Sequence, residues 1–174
     1  MDYLVYVDGL CRRNGSSDAE AGGSFAVYRL EKGEKVDDSL HDSLHNSLHN
    51  SLHARLARRM PLYHDSEFAV VVSGQEQATN NYAEAVSLQT AIAWLISSGL
   101  LVQGNTIHIC MDSQLVLNQI VGMYKTKKIH LKKIYMSIYD MLDKHSKAIG
   151  TNAEKLIAFH WISGDVMKAS VIAH

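Results

Sequence analysis

Apolar residues fall along this chain in two periods, and the two periods predict the elements. Runs of alternating or clustered β-branched and aromatic residues at 3–8, 24–30, 68–72, 106–111 and 156–162 predict five strands. A helical spacing, with Ala85, Leu88, Ile92 and Leu95 on one face, predicts a helix over 81–98 that stops at Gly99. A short helix over 113–121 ends near Gly122. A longer one over 131–142 carries apolar residues at 131, 134, 135, 138, 139 and 142, and a final helix runs over 166–174. Three consecutive strands followed by alternating helices and strands predict an α/β fold. Its mixed five-stranded sheet has three antiparallel strands, then parallel strands, and is flanked by helices.

One segment has neither period. Residues 39–53 read SLHDSLHNSLHNSLH, a four-residue repeat with leucines at 40, 44, 48, 52 and 56. Each four-residue step drifts about 40° around an α-helix, so the leucine row rotates by about 160° and makes a poor core stripe. His41, His45, His49 and His53 share that spacing, which can chelate a metal. The favoured expectation is a low-complexity insertion, within 31–65, on the surface of a hairpin loop. Replacing Asp38–Arg59 by a short linker is then expected to be tolerated. Arg55, Arg58 and Arg59 suit a helix C-terminus.

Composition narrows the class. The 174 residues fit one domain (1–174), and 47% hydrophobic with 20% charged residues fits a globular protein. No apolar run approaches a membrane span, and the first residues lack a signal-peptide pattern, so no membrane association and a cytoplasmic location are expected. Two cysteines make no disulfide framework. A net charge of −1 gives no general attraction to polyanions, so nucleic-acid binding would need a local basic patch.

Three acids stand at element ends. Asp8 closes "LVYVDG", and its bland alternative is an Asp-Gly turn. Asp112 closes "IHICMD" and could instead cap the next helix. Glu84 lies in "TNNYAEA", where Asn81 as N-cap with Glu84 three residues on would be a capping box. Together they put three acids at the ends of two strands and the start of a helix, with little basic sequence beside them. Clustered acids repel and need cations; hard oxygen ligands suit Mg²⁺ or Mn²⁺, and two such ions can drive phosphodiester cleavage.

With "VYVDG", "AGGSFAVY", "SGQEQATNNYAEA", "ICMDSQLVLNQI" and "FHWISGD" in this order, the chain resembles ribonuclease H of type 1 across nearly its whole length except 31–65. The resemblance implies the ribonuclease H-like fold and hydrolysis of the RNA strand of RNA/DNA hybrids. It also implies two Mg²⁺ or Mn²⁺ ions held by Asp8, Glu84 and Asp112. The chain departs from the family at its end, where a fourth carboxylate is expected near Ser170–Val171 and neither residue is acidic. Asp165, where many members carry a histidine, is the nearby catalytic candidate, with a surface loop acid as the alternative; His174 is a further possible contact. The rival reading is a catalytically weak or inactive hybrid-binding module. Another nuclease of the same fold is disfavoured by the TNN-x-AE context.

Lys125, Lys127, Lys128, Lys132 and Lys133 form the one dense basic run, either a phosphate-tracking loop or a solvated helix start. The resemblance favours binding. Asn80, Asn81 and Gln114 flank the acids, and their amides could reach 2′-hydroxyls and base edges. Trp94 and Trp161 read as core. A monomer is expected.

Overall fold

The computed structural model describes residues 1–12, 20–36, 52–70 and 79–170. Five strands, β1 (Asp2–Arg12), β2 (Glu20–Arg29), β3 (Tyr63–Val70), β4 (Thr106–Met111) and β5 (Ile157–Trp161), form one sheet in the order β3-β2-β1-β4-β5. The β1/β2 and β2/β3 pairs are antiparallel, whereas β1/β4 and β4/β5 are parallel. The mixed sheet is the one the sequence pattern predicts, and so are its helices apart from one at 52–57. The helices are α1 (residues 52–57), α2 (Asn80–Ser97), α3 (Gln114–Ile120), α4 (Ile129–Ile149) and α5 (Gly164–Lys168).

Alternation along β1 and β4 splits the core in two. Tyr3, Val5, Val7, Ile107, Ile109 and Met111 face α2 and α4, which present Leu88, Ile92, Leu95, Leu131, Ile138 and Leu142. Leu4, Tyr6 and Cys110 face the other way, against Leu52, Leu56, Ile162 and Met167.

Several boundaries differ from expectation: β1 runs on to Arg12, β2 begins at Glu20, and α5 covers Gly164–Lys168 with Ala169 as its C-cap where a helix over 166–174 is expected. Two further differences have clear reasons. β3 begins at Tyr63, not 68: His64 and Asp65 break the apolar run, yet an edge strand needs only its backbone to pair with β2. α4 runs on to Ile149, where Gly150 caps it in the left-handed region (φ 73°). Its last turns are polar and carry the exposed pairs Lys144–Asp140 and Lys147–Asp143, so the apolar stripe stops before the helix does.

The second core corrects the surface expectation for the end of the insertion. The repeat residues 39–51 lie outside the described residues, but Leu52 and Leu56 are only 2% and 0% exposed. Beside them the Tyr6 hydroxyl bonds His53 Nδ1. Burial pushes the Tyr6 phenol far up, so its hydroxyl stays protonated in this contact. Arg59 forks onto buried Glu34 with two bonds of 2.9 and 2.8 Å. Leu52 and Leu56 stand one helical step apart, and those two suffice to face the sheet. The insertion therefore cannot be discarded as far as Arg59.

Candidate active site

Asp8 does not end a turn. β1 continues through Gly9 to Arg12, pairing residue by residue with β2, with Asp8 opposite Ser24. Gly9 is required for a different reason: a Cβ there would stand 2.3 Å from Glu84 N and 2.4 Å from the Ala83 carbonyl carbon. Its bare backbone lets the first turn of α2 come down on β1. Gly23 does the same one strand over, where a Cβ would meet Ser87 Oγ at 2.2 Å.

α2 is capped by Thr79, whose hydroxyl accepts from Tyr82 N at 3.1 Å, so the Asn81–Glu84 capping box does not form. Asn80 Oδ1 accepts from Cys11 N at 2.8 Å and ties the helix start to the far end of β1. Glu84 is thereby freed from capping and held against Asp8. Asp112 is likewise no cap: Ser113 accepts from Val116 N and caps α3.

These placements bring Asp8, Glu84 and Asp112 together, each offering a carboxylate oxygen within 4.8 Å of the others. Glu84 is buried while Asp8 and Asp112 are half-exposed. Burial raises the Glu84 carboxyl well above the glutamate range; the negative charge of Asp8, a hydrogen bond with Asp8 and the charge of Asp112 add to the rise, and the Gly9 N–H opposes it. Glu84 Oε2 is buried with no hydrogen-bond partner among the described residues. An orphaned carboxylate oxygen facing two further acids fits a hard divalent cation, which would satisfy that oxygen and neutralise the cluster.

The remaining candidates are dispersed. Asp165 is exposed in the first turn of α5 and lies outside the three-acid cluster. Its neighbour Gly164 abuts the site, since a Cβ there would stand 3.9 Å from Asp112 Oδ2. Ser170 is buried and donates to the Met167 carbonyl at 2.6 Å. Val171 and His174 lie outside the described residues. Asn81 is half-buried, and Gln114, Lys125, Lys127 and Lys128 are exposed. Beside the basic run, the His130 ring of α4 lies 5.3 Å from that of Tyr82 in α2.

Sequence reasoning missed Trp161. Its ring packs partly on the first core, as expected, but its indole N–H also donates to the Asp112 carbonyl at 3.1 Å. A tryptophan closing an apolar strand carries no signal that separates these roles.

No protein-family model matches the chain, and no curated protein matches it in sequence. Solved structures do. The N-terminal RNase H domain of a Mycobacterium tuberculosis protein, solved as a fusion with maltose-binding protein, aligns with a TM-score of 0.60 at 18% identity, covering 98% of this chain and 93% of that one. RNase H1 from the halophilic archaeon Halobacterium salinarum aligns at 0.60 and 15% identity over 98% and 92%. LC11-RNase H1, in complex with an RNA/DNA hybrid, aligns at 0.56 and 19% identity over 94% and 86%. Sheet order, helix placement and these likenesses agree: the chain has the ribonuclease H fold.

Proposed function

We propose that this protein hydrolyses the RNA strand of RNA/DNA hybrids with Mg²⁺ or Mn²⁺. The observation that carries the reading is the Asp8–Glu84–Asp112 cluster, with the orphaned Glu84 oxygen, gathered from within β1, the start of α2 and the residue just past β4 in a ribonuclease H fold. LC11-RNase H1, solved on an RNA/DNA hybrid, supports the substrate. Asp8, Glu84 and Asp112 would hold the metal, which as a pair of ions supplies activation of water and charge stabilisation at the leaving oxygen. The chain's own part is positioning. Gly9 and the Asn80–Cys11 bond fix Glu84 against Asp8, and Ser113 leaves the Asp112 carboxylate unoccupied by capping. Asn81 and Gln114 flank the cluster as minor-groove contacts, and exposed Lys125, Lys127 and Lys128 would follow a phosphate backbone. Asn80 is the weaker contact, because its amide oxygen is already used.

A monomer working in the cytoplasm belongs to the same reading. No disulfide joins Cys11 and Cys110, and no described helix is long and apolar enough to cross a membrane.

A second reading, a hybrid-binding module with weak or no catalysis, is favoured by one observation: the metal cluster among the described residues has three acids, and Asp165 is outside it. A metal titration of hybrid cleavage separates the two. Cleavage of labelled hybrid that rises with Mn²⁺ or Mg²⁺ and is abolished in Asp112→Asn, with unchanged circular dichroism, supports the nuclease. Hybrid binding without cleavage at any metal concentration supports the module. Wild-type rates in Asp112→Asn would remove the cluster from the chemistry.

A further inference from the structure

We propose that Trp161 is a positioning residue for Asp112, and through it for the divalent cation; this rests on the metal reading above. The β4–β5 ladder ends at Met111, which pairs with Trp161, and Ile162 N donates to the Met111 carbonyl at 2.9 Å. Asp112 is the first residue beyond that ladder, and among the described residues no backbone N–H is recorded on its carbonyl. The Trp161 indole reaches over and donates to it at 3.1 Å. On the other side of the same peptide unit, Ser113 is fixed as the cap of α3. The plane between Asp112 and Ser113 is restrained from both ends, which narrows the positions from which the Asp112 carboxylate turns about its own side-chain torsions. Asp112 enters the cluster from a chain segment leaving its strand, where backbone freedom would otherwise be greatest. Trp161 removes that freedom without touching the carboxylate.

Trp161→Phe keeps an aromatic ring in the same packing and deletes the N–H. One neutral hydrogen bond supports a change of about three- to ten-fold. Calorimetric titration of the full chain with Mn²⁺ should show affinity weakened by about that factor. The KM for hybrid should stay within two-fold while the metal needed for half-maximal cleavage rises; a merely structural role would lower thermal stability and leave the metal dependence of the folded fraction unchanged. A folded Trp161→Phe that binds Mn²⁺ like wild type overturns the proposal. A second measurement needs no variant at Trp161. With ¹⁵N-labelled tryptophan in the wild-type chain, the Trp161 indole cross-peak should shift on adding Mg²⁺ with the calorimetric midpoint, and should stay still in Asp112→Asn. A peak that ignores Mg²⁺ in wild type overturns the proposal even if Trp161→Phe does not fold. If wild type binds no metal by calorimetry, the metal reading itself fails and this proposal falls with it; if wild type binds and only the Trp161 results are negative, the metal reading stands.

Discussion

Leu56→Ala tests whether the end of the SLH insertion is part of the fold. Leu56 is 0% exposed and packs in the second core beside Leu4, Tyr6 and Tyr28. Truncating a buried leucine removes its transfer free energy and leaves a cavity, and such changes cost about 2–5 kcal/mol. A short helix at the edge of a small core can partly collapse into the space, so about 3 kcal/mol is expected, nearer the low end of that range. For a domain of this size each kcal/mol lowers the melting temperature by about 2–4 °C, giving roughly 6–12 °C. With a urea slope of about 2 kcal/mol per molar, the midpoint should fall by about 1.5 M. Met60, four residues on and 89% exposed, is the control: Met60→Ala should stay within about 0.5 kcal/mol. Urea and thermal unfolding of the three proteins, followed by circular dichroism, decide the matter. A Leu56→Ala midpoint indistinguishable from that of Met60→Ala would mean that residues 52–57 do not dock on the sheet in solution. Cleavage per folded molecule should change little, because Leu56 contacts none of the three acids. A linker replacing 38–51 should accordingly be tolerated, while one reaching Arg59 should not.

Other outcomes follow from the charged groups. Arg59→Ala leaves the buried Glu34 carboxylate without its two charged bonds and should cost roughly 2–3 kcal/mol at neutral pH in urea unfolding. Arg59 holds Glu34 below its ordinary range, so that contribution is present above the unfolded glutamate pKa and is lost as pH falls through the folded one. The gap between wild type and Arg59→Ala should therefore close in acid; a gap constant with pH would count against the pair. Glu84 has the opposite sign. Its folded carboxyl is raised, so metal-free wild type should lose stability as pH rises from the ordinary glutamate range through the folded value. Glu84→Gln should lack that decline, and parallel pH profiles would show that Glu84 is not buried against Asp8. Because metal must displace the Glu84 proton, calorimetric Mn²⁺ affinity should tighten with rising pH and release protons to the buffer.

The fold was largely legible because period carries it: the bounds of β4 and the inward residues of α2 follow from spacing alone, as do those of α4 apart from Tyr139, which is exposed. Asp8, Glu84 and Asp112 were legible as acids at element ends, but their local alternatives could be removed only by seeing which neighbour did each bland task. Thr79 caps α2, Ser113 caps α3, and β1 runs past Asp8 without turning. Close approach was not legible, since a glycine after an aspartate reads as a turn and says nothing about a helix lying on top of it. The docking of Leu52 and Leu56 was hidden for a similar reason: a drifting row fails as a long stripe, yet two of its members suffice for a short helix.

The docked surface of the insertion is spelled by four side chains, Leu52, His53, Leu56 and Arg59. One unit earlier the chain reads Leu48, His49, Leu52 and Arg55, the same four types at the same spacing. Deleting residues 52–55 would thus place an identical set before the sheet. Repeats expand and contract readily in genes, and a gain or loss of whole units here changes the number of residues before position 52 while leaving the anchor word intact. The repeat is in that sense error-tolerant: copy number can vary among descendants of this sequence without altering what covers Tyr6 and Tyr28.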